Sequence, residues 1–173
     1  VHHLYINVEQ VRAFRTCSFF ISCEPPLILG GLKLNRSVLK FGGSSVSDFT
    51  KIKNIAEMLK TRVEQGEELI VVVSAMGKTT DQLMENVSTL TSTPKDQELA
   101  LLLTTGEQQT VSYLSMVLND ISVKAKAMTG YQAGIKTIGH HLKSKIAEIN
   151  PDTFNQAFEN NDVLVVAGFQ GIN

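Results

Sequence analysis

The sequence lacks the features that would assign it to several specialised classes of protein. Two cysteines are too few for the disulfide framework of a small secreted domain. Lysine and arginine (16) nearly balance aspartate and glutamate (17), and a net charge of −1 gives no electrostatic basis for binding nucleic acid or an anionic membrane. No apolar run approaches the roughly 18 residues of a membrane span. We therefore expect a cytoplasmic globular protein that binds neither nucleic acid nor a membrane.

The first 36 residues differ from the rest, because they hold both cysteines and show no sustained hydrophobic period. A faint similarity to a signal peptide ends at Glu24-Pro25-Pro26, where no cleavage site of small residues follows. We hypothesise that residues 1–36 are an irregular leader, that residues 1–33 are upstream sequence read in frame, and that translation begins at Leu34. The nucleotide sequence tests this, since the codon of Leu34 should then be TTG or CTG.

From residue 37 onward, short strands alternate with amphipathic helices. Val38 to Phe41 predicts a strand, and the unbroken apolar run over 69–73 predicts a second strand, buried on both faces. Between them the sequence predicts a helix that is capped by Ser47 and ends at Gly66. Its apolar stripe consists of Ile52, Ile55, Ala56, Leu59 and Val63. Strand, helix and strand form a βαβ unit.

The same alternation continues to the end of the chain. The pattern predicts helices over 80–91, 94–103 and 107–119, a short helix from Pro151, and strands over 123–128 and 163–167. Gly106 is expected to separate the second helix from the third, which places Glu107 at a helix start. The fold class is therefore α/β, a three-layer α/β/α sandwich on a mostly parallel sheet.

Three loops rich in glycine or polar residues, over 42–45, 74–80 and 168–171, each follow a predicted strand. Since ligands bind at the carboxyl ends of parallel strands, we expect these loops to converge on a site. The Gly42-Gly43 turn precedes a helix, whose free N–H groups suit a phosphate, and Lys40 adds a positive charge. An ordinary strand–turn–helix with a solvated lysine is the alternative at this point.

Other polar residues of these segments admit two interpretations each. The hydroxyls of Ser74 and Thr80 can hold a carboxylate or phosphate, or can serve the turn and cap the next helix. Glu107 is either a favourable charge on a helix dipole or the counter-charge of a substrate ammonium. Neither a Walker A loop nor a dinucleotide fingerprint is present. The adjacent pair His140-His141 cannot face one way, so we predict no metal site.

Five segments together resemble the aspartate kinases (aspartokinases) of the amino-acid kinase superfamily. A K-x-G-G motif alone is shared by kinases of glutamate, acetylglutamate, carbamate or UMP, whereas K-F-G-G-S-S-V with V-S-A-M-G-K-T-T-D is specific to the aspartate branch. The resemblance covers about residues 37–173. Its segments are K-F-G-G-S-S-V (40–46), V-V-V-S-A-M-G-K-T-T-D (71–81), T-G-E-Q (105–108), T-G-Y-Q-A-G-I (129–135) and V-V-A-G-F-Q-G (165–171).

The resemblance implies transfer of the γ-phosphoryl group of ATP to the side-chain carboxylate of L-aspartate, the entry to lysine, threonine, methionine and diaminopimelate synthesis. Lys40 matches the catalytic lysine of the family, and the ATP phosphates are expected to contact Lys40, Phe41, Gly42, Gly43 and Ser44. The expected aspartate-binding residues are Ser74, Thr80 and Glu107. ATP would act with Mg²⁺ as a substrate complex, with no tightly bound cofactor.

The resemblance also implies partners for this chain. Residues 37–173 match the N-terminal, aspartate-binding part of the kinase domain. An R-G-G-S-D-type segment, the ATP-binding C-terminal half and regulatory ACT domains are missing, so we expect no activity from the chain alone and a homo-oligomer for the full-length enzyme. Because the sheet would continue into that missing half, the strand over 163–167 is expected to present an unpaired hydrophobic edge. Two alternatives stay open: a non-catalytic phosphate- or amino-acid-binding module, or a related amino-acid kinase with another acceptor.

Overall fold

The computed structural model describes residues 35–172, together with three residue pairs that form the short strands β1 (His2–His3), β2 (Ile28–Leu29) and β3 (Leu32–Lys33). β2 pairs with β3 in an antiparallel manner. Apart from these pairs and residues 35–36, the predicted leader and its translation start at Leu34 lie outside the described residues. Within the described part, no helix is both long and apolar enough to cross a membrane.

A parallel four-stranded sheet forms the centre of the fold. The strands are β4 (Asn35–Phe41), β5 (Glu67–Val73), β6 (Ala125–Met128), β7 (Ile135–Ile138), β8 (Lys145–Ile149), β9 (Val163–Ala167) and β10 (Gln170–Gly171). The helices are α1 (Phe49–Glu64), α2 (Thr79–Leu90), α3 (Asp96–Asp120) and α4 (Pro151–Phe158). The main sheet has the order β4–β5–β9–β6, and all its neighbours are parallel.

Helices cover both faces of this sheet. Residues of α1 and α3 pack against one face in the larger hydrophobic cluster, and residues of α4 pack against the other face in a smaller one. In β9, Val163, Val165 and Ala167 belong to the larger cluster, and Leu164 and Val166 belong to the smaller one. This strand is therefore buried on both faces. In β5 only Leu69, Val71 and Val73 are fully buried, because the α4 side is covered less completely. The predicted three-layer α/β sandwich is confirmed.

The register of the sheet brings the strand ends to one level. Phe41 is paired with Val73, and Val73 with Ala167, which are the last residues of β4, β5 and β9. The loops that follow these three strands therefore start side by side at one edge of the sheet. The parallel arrangement thus places the glycine turn, the second loop and the loop after β9 within reach of one ligand.

Two details of the prediction are wrong. The N-cap of α1 is Asp48, whose side chain accepts a hydrogen bond from the Lys51 N–H at 2.9 Å, while Ser47 donates to Asp48. This backbone hydrogen bond is the main reason why the pKa of Asp48 is lowered. In addition, β9 is not an edge strand in the described sheet, because β6, which precedes it in the chain, pairs with its other side.

The expected break at Gly106 is also wrong, since α3 runs without interruption from Asp96 to Asp120. Glycine serves close packing here: a Cβ atom at position 106 would lie 2.9 Å from the Cβ of Ala75 and 3.4 Å from Cγ2 of Thr79. The missing side chain therefore lets the helix approach the loop that follows β5. This contact fixes the position of the next residue, Glu107.

Replacing Gly106 with alanine tests the close approach of α3 to Ala75, because the packing and the helix propensity predict opposite signs for the change in the free energy of unfolding. Alanine is favoured over glycine inside a helix by about 1 kcal/mol, so propensity alone predicts stabilisation. We expect Gly106→Ala to lower the free energy of unfolding by about 1–3 kcal/mol instead, because the added methyl group overpacks the contact with Ala75. Urea denaturation measures the change, and Gln109→Ala on the exposed side of α3 is the control. A more stable Gly106→Ala variant would contradict the packing explanation.

The antiparallel hairpin of β7 and β8 was not predicted from the sequence; in it the paired residues Lys136 and Glu148 form an exposed ion pair at 2.9 Å. All five residues of β8 are exposed, so burial imposes no alternation on them. The hairpin loop nevertheless matters for the site, because Leu142 lies on the wall of the cleft described below.

Candidate functional site

A cleft opens at the carboxyl ends of the parallel strands. It has a volume of about 520 Å³ and is lined by residues from all three predicted loops, from α3 and from the hairpin, among them Gly43, Ser74, Thr80, Glu107, Leu142 and Phe169. A small crevice of about 10 Å³, lined by Lys40, Ser74, Gly168 and Phe169, adjoins it. Ser74 and Phe169 line both, so the crevice with Lys40 and the cleft with Glu107 are adjacent.

The glycine turn after β4 is joined to the second loop by main-chain contacts. The Gly43 carbonyl accepts from the Gly77 N–H at 3.1 Å, and the Phe41 carbonyl accepts from the Ser74 N–H at 3.1 Å. A Cβ atom at position 43 would lie 2.9 Å from the Ala75 carbonyl oxygen, so only glycine fits here without movement. The turn is therefore a rigid backbone surface at the start of α1, with Lys40 exposed beside it.

Lys51, to which sequence analysis assigned no role, supports this turn. Its Nζ donates to the Ser44 carbonyl at 2.9 Å and to the Ser47 hydroxyl at 2.8 Å. The signal that could have revealed it is its position on the first turn of the helix after the glycines. Lys51 thus brings a second positive charge to the glycine turn and holds the Ser44 carbonyl in place.

The second loop places two hydroxyl-bearing residues on the cleft wall. Ser74 follows the last residue of β5, and Thr80 lies in the first turn of α2. The alternative role of Thr80 as a helix cap is wrong, because the N-cap position of α2 is Lys78 and no side chain caps this end. Both hydroxyl-bearing residues therefore lie where a bound ligand would be, beside the rigid turn.

Glu107 is a buried carboxyl at the middle of α3, so its expected place at a helix start is wrong. The residue is 6% exposed, and its Oε2 atom has no hydrogen-bond partner among the described residues. Burial raises its pKa to about 7, against smaller opposing effects of hydrogen bonds from its own N–H and that of Ala75. A buried carboxylate without a cationic partner is costly, so a positively charged group placed beside Glu107 would be stabilised.

The loop after β9 contributes residues that sequence analysis located but did not assign. Phe169 lines the cleft in a left-handed backbone conformation, with φ of 53°. Left-handed backbone is unfavourable for a bulky residue and marks a position that its surroundings hold in place. The next residue, Gln170, is buried and donates from Nε2 to the Thr104 carbonyl of α3 at 2.9 Å. The signal for both was the G-F-Q-G segment at a strand end.

Within the described residues, no group of three or more histidine, cysteine, aspartate or glutamate side chains could hold a metal ion. The pair singled out from the sequence lies on the hairpin loop, where His140 Nδ1 is 3.4 Å from Asp96 Oδ2 and its ring contacts that of His141. The contact of His140 with Asp96 joins the hairpin loop to the beginning of α3, and neither histidine is among the residues that line the cleft.

Comparison with known proteins agrees with this geometry. The model of the amino acid kinase family matches residues 35–173. Aspartokinase 2 of Bacillus subtilis is 41% identical over 135 residues, and the aspartokinase of Mycobacterium tuberculosis is 40% identical over 136 residues. These alignments cover 78% and 79% of this chain, but only 33% and 32% of the two relatives. The chain thus spans about a third of the length of the curated relatives it matches.

The solved structure of aspartate kinase from Synechocystis superposes with a TM-score of 0.64 and 38% identity. The superposition covers 79% of this chain and 22% of that one. The range matched by the family model, residues 35–173, includes the whole main sheet, the glycine turn and the cleft. The chain therefore belongs to the amino acid kinase family.

Proposed function

We propose that the chain is the aspartate-binding part of an aspartokinase, which transfers the γ-phosphoryl group of ATP to L-aspartate and releases 4-phospho-L-aspartate and ADP. The observation that carries this proposal is the buried Glu107 carboxyl, which shares one cleft with Ser74, Thr80 and the glycine turn. The similarity to proteins named aspartokinases supports the choice of acceptor. The 4-phospho-L-aspartate would enter lysine, threonine, methionine and diaminopimelate synthesis.

The cleft offers complementary groups for an acidic amino acid. Oε2 of Glu107, which has no partner among the described residues, can accept from the ligand ammonium, and this ion pair offsets the cost of burying the carboxylate. The hydroxyls of Ser74 and Thr80 can donate to ligand carboxylates. Because Ser74 also lines the crevice with Lys40, a carboxylate held near it would lie beside the phosphoryl donor.

The transfer itself needs positioning and charge neutralisation more than proton transfer. A side-chain carboxylate oxygen of aspartate forms the new bond to the γ-phosphorus, and the bond from that phosphorus to the β,γ-bridging oxygen breaks. ADP leaves with the electron pair, and no proton has to move, so no general base is required. Lys40 and the N–H groups of the glycine turn would stabilise the charge on the transferring group. Mg²⁺ would arrive bridging the phosphates of ATP, as part of that substrate.

The described residues form only part of an ATP site. Small-molecule sites typically occupy 300–1,000 Å³, whereas the crevice beside Lys40 measures about 10 Å³. Most contacts to the nucleotide would therefore come from a C-terminal half of the kinase domain. The complete enzyme would be a cytoplasmic homo-oligomer, in which this half and its ATP-binding partner form one domain.

The isolated chain is expected to bind aspartate without turning it over. Titration calorimetry should show saturable binding of L-aspartate and at least tenfold weaker binding of L-glutamate, since one extra methylene typically costs 10-fold or more in a shaped pocket. A coupled assay of ADP release should remain at background with ATP, Mg²⁺ and aspartate, because the nucleotide gains few contacts. Aspartate-dependent ADP release by this chain would contradict the incomplete ATP site, and absence of aspartate binding would contradict the proposed function.

A further inference from the structure

We propose that Gln170 is a positioning residue that sets the width of the acceptor cleft and thereby favours aspartate over the longer glutamate. This inference rests on the proposed function and names a determinant of acceptor size that lies outside the cleft lining. The amide of Gln170 is 1% exposed, and its Nε2 donates to the Thr104 carbonyl at 2.9 Å. Thr104 lies three residues before Glu107, in the same turn of α3.

The Gln170 bond connects the two walls of the cleft. Phe169, which precedes Gln170, lines one side of the cleft, and Glu107 lines it from α3. A hydrogen bond from residue 170 to residue 104 therefore fixes the separation between the aromatic wall and the carboxylate. Loss of this bond would let α3, and Glu107 with it, shift relative to Phe169.

The loop that carries Gln170 is anchored independently on its other sides. The Gly168 N–H donates to the Val73 carbonyl at 2.9 Å, and the Ile172 N–H donates to the Ile135 carbonyl at 2.9 Å. A Cβ atom at position 130 would lie 2.3 Å from the Gln170 carbonyl oxygen, so Gly130 also packs closely against this loop. With the loop fixed to the sheet and to β7, the Gln170 side chain acts as a spacer between the sheet end and α3.

Stability alone does not account for glutamine at this position. Oε1 of Gln170 is buried and has no hydrogen-bond partner among the described residues, which is unfavourable. The Thr104 carbonyl lies inside a continuous helix and has the regular helical partner available. Methionine has a similar length and would fill the same space without an unpartnered oxygen. What methionine cannot supply is the directed bond to α3, which sets the geometry of the cleft.

Gln170→Met tests this role through the ratio of two affinities, measured by titration calorimetry on the full chain. We expect the affinity for L-aspartate to fall about tenfold and that for L-glutamate to change less than threefold, so that the preference for aspartate shrinks. The melting temperature should stay equal or rise, because the unpartnered buried oxygen is removed. A variant that unfolds at a lower temperature but keeps the aspartate-to-glutamate ratio would overturn the proposal and leave Gln170 a structural residue.

Asn161→Leu is the matched control, because Asn161 donates from Nδ2 to the Ala157 carbonyl at 2.7 Å, a bond of the same kind near the end of α4. It should leave the affinity ratio unchanged. If Gln170→Met does not fold, Gln170→Asn tests the proposal instead, because its side chain is one methylene too short to reach the Thr104 carbonyl. An unchanged ratio of aspartate to glutamate affinity in that variant would again overturn the proposal. Failure of the unmodified chain to bind aspartate would refute the proposed function itself, whereas unchanged selectivity in the variants refutes only the role of Gln170.

Discussion

Replacing Glu107 with glutamine is expected to abolish measurable aspartate binding and, at the same time, to stabilise the chain above pH 7. The amide keeps the size of the carboxyl but cannot pair with the ligand ammonium. Loss of one partner of a buried, hydrogen-bonded charge pair typically costs about 2–5 kcal/mol, and at the middle of this range the affinity falls a few hundredfold. The gain in stability arises because the buried carboxylate has no cationic partner among the described residues of the free protein.

The sign of the pH effect follows from the raised pKa of Glu107. Its value is about 7 in the folded chain and 4.5 without the fold, so the folded state holds an extra proton between these values. Stability therefore decreases as the pH rises from about 4.5 through about 7, and the loss stays constant above that range. A change of this size corresponds to about 3 kcal/mol. Glu107→Gln should remove this slope, matching the unmodified chain near pH 4.5 and exceeding its stability at pH 8.

Urea denaturation at several pH values measures this slope, and Glu98→Gln is the control because Glu98 is an exposed glutamate of the same helix. Binding supplies a second readout. Since a ligand ammonium stabilises ionised Glu107, aspartate should bind more tightly as the pH rises toward 8 and should release a proton near neutral pH. Calorimetry in buffers with different ionisation enthalpies detects that proton. Equal aspartate affinity in Glu107→Gln, or an unchanged stability slope, would show that this carboxyl does not hold the ligand.

The parts of the site that the sequence predicted are those that depend on local pattern. The apolar run over 69–73 and the glycine turn at Gly42 are readable because strand burial and turn formation involve neighbouring residues. Their convergence was predictable as well, since parallel strands place their carboxyl ends at one edge. The register from Phe41 through Val73 to Ala167 confirms that expectation.

The parts that were missed depend on contacts between residues far apart in the chain. Gly106 indicates a helix break locally, but tertiary packing against Ala75 makes it a point of close approach inside α3. The bond from Gln170 to Thr104 spans 66 residues, and no local pattern encodes it. Likewise, β6 inserts beside β9 although it comes earlier in the chain, because the order of strands in space is set by packing rather than by sequence order.

Replacing Lys40 with methionine is expected to remove catalysis while leaving aspartate binding intact. The residue lines the crevice beside Ser74 but is absent from the lining of the larger cleft that contains Glu107. Its charge should therefore act on the transferring phosphoryl group rather than on the bound amino acid. Removing one preorganised donor from such a transition state typically lowers kcat 10²–10³-fold, and we expect about a thousandfold for Lys40 because a full positive charge is removed.

The measurement requires a complete kinase domain, which a chimaera of this chain with the C-terminal two thirds of a related aspartokinase would provide. Lys40→Met should lower kcat about a thousandfold and change the KM for aspartate less than threefold. Lys53→Met, which removes an exposed charge from α1, should be neutral in both constants. A non-catalytic binding module would give no aspartate-dependent turnover in the chimaera, with or without Lys40. Full turnover in Lys40→Met would instead assign the neutralisation of the phosphoryl group to another cation, for which Lys51, bonded to the glycine turn, is a candidate on this chain.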